Sequence, residues 1–334
     1  MKQLRDLLAG LPLSRSGARA AMGAVLDGEA SDAQIGAFLA ALRVRGETVA
    51  EITGFAEAVR ARALKVKISR TPLLDTCGTG GDGAGTFNIS TTVAFIAAGA
   101  GAAVAKHGNR AVSSRSGSAD VLEALGVRTD LAAARAALCV EEVGVGFLFA
   151  PSHHKGFARV GPVRRQLATR TVFNLLGPLC NPAGAPHQLM GVYSTALVRP
   201  VAETLKALGG KRAFVVAAKD GLDELSLSSA TVVGRLSGGK VTLEEVTPES
   251  AGLKRRPLSA LKGGDAKRNA RILRAVLSGE TGAAREACLF NASAALQAAG
   301  LAESWREGVA LAAESIDSGR ALSALERLAR MSAA

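Results

Sequence analysis

The sequence predicts an α/β protein, with a small helical domain over residues 1–70 followed by a large α/β domain over residues 71–334. Three observations predict it. The first 70 residues carry helix-capping patterns and apolar residues at helical spacing. From Leu73 onward, short apolar runs alternate with helical segments, the pattern of a sheet with helices on its faces. The length of 334 residues suits two domains at about 150 residues each. Such a chain buries roughly three quarters of its unfolded surface, so no disulfide or metal staple is required. With 48% hydrophobic and 21% charged residues, wholesale disorder is excluded.

In order along the chain, Lys2 and Arg5 precede a run, Leu7 to Ala9, too short for a signal-peptide core. Ser31 with Gln34, and Thr48 with Glu51, form capping-box patterns. Between them Ile35, Phe38, Leu39 and Leu42 would bury one helix face. The texture changes near Thr71-Pro72, and a hinge between the two domains is expected near residues 66–72. Leu73 to Cys77 reads as a strand, Thr91 to Gly99 as a helix and Ala102 to Ala105 as a strand. Asp120 to Leu125 reads as a helix, Val145 to Phe149 as a strand, Leu197 to Leu208 as a helix and Ala213 to Ala218 as a strand. Gly177 to Pro186, rich in proline, reads as a connection without regular structure. The last 70 residues return to helical spacing, with Trp305 expected in the core. The uncharged stretch Gly83 to Ala105 is apolar only from Val93, short of the roughly 20 residues a bilayer span requires.

Lys and Arg number 41 against 29 Asp and Glu, a net charge of +12 spread along the chain. The densest basic run, Lys254 to Arg274, holds a single acid, Asp265. It reads as a solvated face or as an anion or nucleic-acid surface. The four cysteines, Cys77, Cys139, Cys180 and Cys288, form no CxxC pair, which leaves zinc and redox motifs unsupported and suits a reducing cytoplasm.

The segment Asp75 to Thr91, DTCGTGGDGAGTFNIST, runs from a strand through glycine turns into a helix opening at Ser90 and Thr91. Glycines bring backbone N–H groups close to a ligand, and a helix N-terminus adds partial positive charge. This reads as a phosphate cradle. Gly78, Gly80 and Gly83 match the dinucleotide fingerprint GxGxxG, but no acid follows between Asp82 and Asp120 to hold a ribose. Gly234 to Lys240 has Walker spacing but is followed by Val241. Lys106 to Ser118, KHGNRAVSSRSGS, sets Lys106, Arg110 and Arg115 among small hydroxyls, which suits a diphosphate. In KDGLDEL, Asp223 and Glu224 are adjacent carboxylates at a strand end. Beside a diphosphate cradle they suit Mg²⁺, which is usually held by one or two carboxylates plus phosphates.

Together these segments resemble the anthranilate phosphoribosyltransferase family. The resemblance extends over SDAQIGAFLAALRVRGET at 31–48, GTGGDGAGTFNIST at 78–91 and KHGNRAVSSRSGSADVLEALG at 106–126. It continues over FLFAPSHHKGFARVGPVRRQLATRTVFNLLGPLCNPAG at 147–184 and KDGLDELSL at 219–227. It implies a nucleoside phosphorylase/phosphoribosyltransferase-like fold: a small helical domain, serving dimerisation and forming one cleft wall, hinged to a large domain whose central mixed sheet is flanked by helices. It further implies a cytoplasmic homodimer of tryptophan biosynthesis that moves the 5-phosphoribosyl group of phosphoribosyl diphosphate onto the amine of anthranilate, with two Mg²⁺ per site.

By the same resemblance, the phosphoribosyl diphosphate pocket is expected to comprise Gly78, Gly81, Asp82, Thr86, Asn88, Ile89, Ser90 and Thr91. Lys106, His107, Gly108, Asn109, Arg110, Ala111, Val112, Ser113 and Ser114, with Ser118, would close over the diphosphate. Ser90 would ligate one Mg²⁺, and Asp223 with Glu224 the other. Gly78, Asn109 and Arg164 would hold anthranilate, with Arg164 facing its carboxylate. His153 and His154 would form the wall of the anthranilate pocket.

In that reaction, cleavage at the anomeric carbon builds oxocarbenium-like charge, and Mg²⁺ with Lys106 would stabilise the leaving diphosphate. The aromatic amine is already nucleophilic, so no activated Ser or Cys is required. His107 could accept its proton at neutral pH. Two departures stand out: Ala119 replaces a common serine, and Lys267-Arg268 is more basic than usual. A pyrimidine nucleoside phosphorylase shares the fold but needs a GHTGGT-type stretch that is absent here. A nucleic-acid-binding paralogue would draw on the basic run, but it leaves Asn109, Arg164, Asp223 and Glu224 without a role.

Overall fold

A computed structural model of the chain describes residues 2–111 and 115–334. Four helices come first: α1 (Gln3–Leu8), α2 (Arg15–Leu26), α3 (Asp32–Arg45) and α4 (Val49–Arg62). Both predicted capping boxes form, Ser31 with Gln34 and Thr48 with Glu51. Glu51 also ties the bundle together. Fully buried, it accepts from the Leu13 N–H at 2.8 Å and from Arg45 Nη2 at 2.6 Å. Ile35, Phe38, Leu39 and Leu42 are all buried, and the Phe38 ring meets Phe55 edge-on at 5.6 Å.

The rest alternates. The elements are β1 (Leu73–Gly78), α5 (Ile89–Gly99), β2 (Ala103–Gly108), α6 (Ser118–Ala124), α7 (Ala133–Val143) and β3 (Val145–Phe149). Then come α8 (Ala150–His153), α9 (Phe157–Leu167), α10 (Phe173–Leu179), β4 (His187–Gly191), α11 (Val198–Ala207), β5 (Arg212–Ala218), β6 (Thr231–Ser237) and β7 (Lys240–Val246). Four helices close the chain: α12 (Ala266–Leu277), α13 (Ala283–Ala299), α14 (Trp305–Asp317) and α15 (Arg320–Ala333).

The strands form one sheet in the order β3-β2-β1-β4-β5-β6-β7. It is mixed: β3 through β5 are parallel, and β6 and β7 add an antiparallel hairpin at the edge. Side chains alternate between its faces. Leu189, Phe214 and Val216 enter a core with α5 and α13, whereas Met190, Val215 and Ala217 enter a second core with α2, α4 and α11. Trp305 is half-buried, edge-on to Phe214 at 5.6 Å and Phe290 at 5.7 Å. The connector between α4 and β1 is tied to the sheet domain, where the Leu64 N–H donates to His153 O and the Val66 N–H to Pro182 O.

Three expectations are corrected. β2 runs through Lys106, His107 and Gly108, which therefore lie on a strand and not in the loop after it. Residues Gly177 to Leu179 are helical, with Pro178 inside the short α10, where its missing N–H forfeits one helical hydrogen bond. The helix after the glycine loop opens at Ile89, with Asn88 at its N-cap. β4 and the β6–β7 hairpin were not legible beforehand. β4 follows Pro186 and reads HQLMG, opening on two polar residues, and β7 is mostly exposed.

The strand order reverses at β1, with β2 and β3 on one side and β4 and β5 on the other. In such sheets ligands sit beyond the carboxyl ends of the strands at that reversal. Gly78 and Gly191 end β1 and β4 and pair in register there, and Gly108 ends β2 alongside.

Candidate functional site

At the reversal, the segment between β5 and β6 brings Asp223 and Glu224 over the start of the glycine loop. Asp223 Oδ2 accepts from the Gly80 N–H at 2.8 Å, and Glu224 Oε1 accepts from the Ser90 N–H at 3.1 Å. The approach requires glycine beneath it. A Cβ on Gly78 would stand 2.7 Å from Asp223 Oδ2, and one on Gly191 would stand 1.6 Å from the Asp223 carbonyl oxygen. Burial raises the pKa of Asp223, and the Asp82 carboxylate adds like-charge repulsion. Glu224 is raised further, by burial and then by Asp223. Asp82 lies in the loop, where its Oδ1 accepts from the Ala84 N–H. The result is a cluster of hard oxygen donors whose mutual repulsion a divalent cation would relieve. Among the described residues no three His, Cys, Asp or Glu side chains form a metal cage of their own. Mg²⁺ does not need one when substrate phosphates complete its shell.

Lys106 projects from β2 into the interior behind this cluster. Its Nζ donates to Thr76 O and, at 3.4 Å, to Ser90 Oγ. Burial lowers its pKa, and nearby Asp75 opposes that. Asp75 is fully buried on β1, accepting from the His107 N–H at 3.1 Å and from Asn181 Nδ2 at 2.8 Å. Desolvation lifts its carboxyl to about 6. The Thr91 hydroxyl at the start of α5 is buried without a partner among the described residues. Thr86 is bridged to Lys262, and its neighbour Phe87 donates its N–H to Leu261 O.

Two expected binding residues are placed differently. The Ile89 side chain is buried in the core and its N–H is engaged by Phe87 O, because it forms the first turn of α5. The exposed Arg110 side chain is held by Glu123 at 2.6 Å and Asp120 at 3.3 Å, not turned to the cradle. Asp120 explains this: from α6 it accepts from the N–H groups of Ala111 and Gly117, closing the neck of the loop and drawing Arg110 along. Asn109 stands exposed at the mouth, its carbonyl accepting from Ser118 Oγ and the Ala119 N–H. Gly108 is packed so closely that a Cβ would stand 2.2 Å from Ser118 Oγ. Val112, Ser113 and Ser114 lie outside the described residues.

An aromatic wall stands between α8–α10 and β2. His107 and His154 meet edge-on at 5.1 Å, His154 stacks on Phe157, and Phe157 meets Phe173. His153 is buried too, but its Nδ1 is bonded to Leu64 O, so it anchors the connector. His107 Nδ1 faces Gly177 O at 3.1 Å, which as a donor leaves Nε2 an acceptor without a partner among the described residues. Burial and then the neighbouring histidines push the His107 pKa well below its ordinary value, making it a weak proton acceptor. Arg164 is half-buried, with its guanidinium 5.5 Å from the centre of the Phe173 ring and no acidic partner among the described residues. Burial alone lowers its pKa. A cation over an aromatic face, without a carboxylate, suits a flat anionic ligand.

Arg170 was missed by sequence reasoning. It donates to Gly81 O and lies 4.4 Å from the centre of the Tyr193 ring, a second tether on the glycine loop beside the Asp223–Gly80 bond. Its only signal was a place in the long motif at 147–184, where nothing separates it from the other arginines. The basic run Lys254–Arg274 touches the cradle through Lys262, Gly263 and Asn269, while most of its arginines are engaged elsewhere. Arg255, Arg256 and Arg274 are paired with Glu249, Glu286 and Glu326. Arg268 and Arg271 rim a cavity of about 600 Å³ behind Phe87, which none of the predicted site residues lines.

Family models described as "Glycosyl transferase family, helical bundle domain" and "Glycosyl transferase family, a/b domain" match residues 2–63 and 70–322. The anthranilate phosphoribosyltransferase of Symbiobacterium thermophilum is 54% identical over 325 residues, 97% of this chain and 95% of its own. The crystal structure of anthranilate phosphoribosyltransferase from Thermus thermophilus aligns with a TM-score of 0.95 at 46% identity, over 100% of each chain. That of the Saccharomyces cerevisiae enzyme in complex with PRPP and Mg aligns with a TM-score of 0.90 at 30% identity, over 99% of this chain and 97% of that one.

Proposed function

The chain belongs to the anthranilate phosphoribosyltransferase family, and from that membership we propose that it transfers the 5-phosphoribosyl group of phosphoribosyl diphosphate (PRPP) to the amine of anthranilate, releasing diphosphate, in tryptophan biosynthesis. One observation carries the reading at the level of the site. The Asp223–Gly80 and Glu224–Ser90 contacts place a buried acid pair directly on a phosphate cradle. A nucleoside phosphorylase or a nucleic-acid binder would have no use for that pair.

In this reading Gly78, Gly81, Asp82, Thr86, Asn88 and the Ser90–Thr91 helix start receive PRPP. The loop from Gly108 through Ser114, with Ser118, covers it. Arg110 and Ile89 only shape the loop and the helix start, their backbone N–H groups being taken by Asn109 Oδ1 and Phe87 O. Arg164 takes the anthranilate carboxylate, with Asn109 and Gly78 at the ring's other edge and His107, His154 and Phe173 as wall. Positioning of the amine against the anomeric carbon supplies much of the acceleration.

The donor set fits Mg²⁺, with Ser90 at one position and Asp223 with Glu224 at the other. Bound there, Mg²⁺ neutralises charge gathering on the departing diphosphate. Lys106 supports Ser90 from behind and adds positive field to the cradle. His107 stays neutral, so its Nε2 is a hydrogen-bond acceptor for the amine rather than a strong base. Leu8, Leu11 and Val44, exposed at the ends of α1 and α3, offer an apolar surface for a homodimer through the helical domain. No helix among the described residues is long and apolar enough to cross a membrane. Four buried free thiols suit a reducing cytoplasm.

Anthranilate fluorescence tests the reaction. Its loss must require protein, PRPP and Mg²⁺ together. Persistence of the signal with folded protein, where a control enzyme consumes it, would overturn the assignment.

A further inference from the structure

The cradle holds a side-chain relay that none of the sequence motifs contains. Asn269, on the first turns of α12, is buried at 2% exposure. Its Oδ1 accepts from the Gly264 N–H at 2.8 Å, and its Nδ2 donates to Asn88 Oδ1 at 2.9 Å. Asn88, half-buried at the N-cap of α5, in turn donates Nδ2 to Ser116 O at 3.2 Å, in the segment that leads back from the diphosphate loop. The turn carrying Gly264 is itself fastened to the cradle, where the Gly263 N–H donates to Gly85 O at 2.9 Å.

An asparagine side chain can present either its carbonyl or its NH₂ to a given direction, and its partners decide which. Asn88 has one partner on each side, and they are not equivalent. Asn269 offers only a donor to it, because the Asn269 carbonyl is already occupied by Gly264. That commits Asn88 Oδ1 to Asn269. The Asn88 NH₂ is then turned the other way, with one N–H on Ser116 O and the second without a partner among the described residues. A flipped Asn88 would present a carbonyl oxygen where an anion is to bind.

We propose that Asn269 is a positioning residue for the phosphoribosyl diphosphate site: it acts through Asn88, fixing that amide so that an N–H, not a carbonyl, faces the anionic substrate. The inference rests on the assignment of PRPP as substrate. Asn269 touches neither substrate in this arrangement.

The isosteric Asn269→Asp is the sharpest variant. Its carboxylate still accepts from the Gly264 N–H but now also accepts from Asn88, drawing the Asn88 NH₂ towards itself. PRPP affinity, measured by titration calorimetry, falls about tenfold or more, and the KM for PRPP rises in step. The KM for anthranilate stays within about twofold. In an Asn88→Ala background Asn269→Asp adds little, because coupled residues are not additive. Asn269→Ala, with circular dichroism as the check on folding, provides a second entry to the same cycle without an added charge.

Unchanged PRPP affinity in a folded Asn269→Asp protein would overturn the proposal. So would a penalty that persists in full when Asn88 is already alanine, which would mean simple charge repulsion or general loosening. Failure of the wild-type protein to bind PRPP would instead overturn the substrate assignment, so the two failures are distinguishable.

Discussion

Asp223 and Gly80 lie 143 positions apart in sequence, yet the Gly80 N–H donates to Asp223 Oδ2 at 2.8 Å. The bond joins the loop after β5 to the loop after β1 across the point where the sheet order reverses. It holds the phosphate cradle and the acid pair in one frame, with Arg170 on Gly81 as a second tether.

Asp223→Asn keeps an acceptor for Gly80 but removes a buried charge. The Mg²⁺ concentration for half-maximal activity and the KM for PRPP should both rise tenfold or more. Thermal stability without Mg²⁺ should stay level or increase, since burial and Asp82 already disfavour the ionised carboxyl. A loss of stability without Mg²⁺ comparable to the loss of activity would place Asp223 in the architecture and not in the metal site.

Gly191→Ala should be severe, because its Cβ would fall 1.6 Å from the backbone of Asp223, where no rotamer change can relieve it. The Asp223 loop must shift, and turnover should drop about a hundredfold or more. Gly36→Ala on α3 is the contrast. Its Cβ would meet only Val163 at an ordinary 3.8 Å, so helix propensity should make it neutral or stabilising by up to about 1 kcal/mol. Denaturant melts with parallel turnover assays check both.

Arg164→Ala should raise the KM for anthranilate at least tenfold while leaving PRPP affinity within about threefold. Its guanidinium lies over Phe173 in the aromatic wall, away from the acid pair. Equal losses for both substrates would contradict the assignment of Arg164 to the anthranilate carboxylate.

The contribution of His107 and His154 to stability should fall as the pH drops below about 6.5, against the buried carboxyls Asp75, Asp223 and Glu224, whose raised pKa values work in the other direction. His107 and His154 are buried neutral, with pKa values depressed by burial, that of His154 to about 4. In the unfolded chain both take up protons near pH 6.5, whereas the folded protein resists doing so. At these two side chains the unfolded state therefore binds more protons below pH 6.5. The stabilisation is fully present above that pH and declines below it, by on the order of 3 kcal/mol for His154 by pH 4. His154→Phe should flatten the decline in melts recorded between pH 7 and pH 4. An unaltered slope would assign acid sensitivity elsewhere.

Much of this was legible locally. The capping boxes at Ser31 and Thr48, the strand running into glycines after Leu73, and the adjacent Asp223 and Glu224 are short-range patterns with direct physical meaning. They carried the fold class, the phosphate cradle and the acid pair, and the long motifs carried the family. β4 and the β6–β7 hairpin were not legible, because β4 (HQLMG) mixes polar and apolar residues without alternation and β7 is mostly exposed at the sheet edge. Arg110 read as a diphosphate ligand because a cation among serines invites an anion. Only Asp120 and Glu123, brought in by α6, show where its charge is spent.

By itself, then, the sequence determined which chemistry is present: glycines for close approach, a helix start for anions, carboxylates for a hard cation, and an arginine for a carboxylate. The tertiary structure decided which of these groups meet. Asp223 reaches Gly80, Glu224 reaches Ser90, and Asn269 reaches Asn88 only because the order β3-β2-β1-β4-β5 turns separate strand ends towards one crevice. Side-chain charge is encoded residue by residue, but the partner that neutralises, orients or frees it is set by packing across the whole chain.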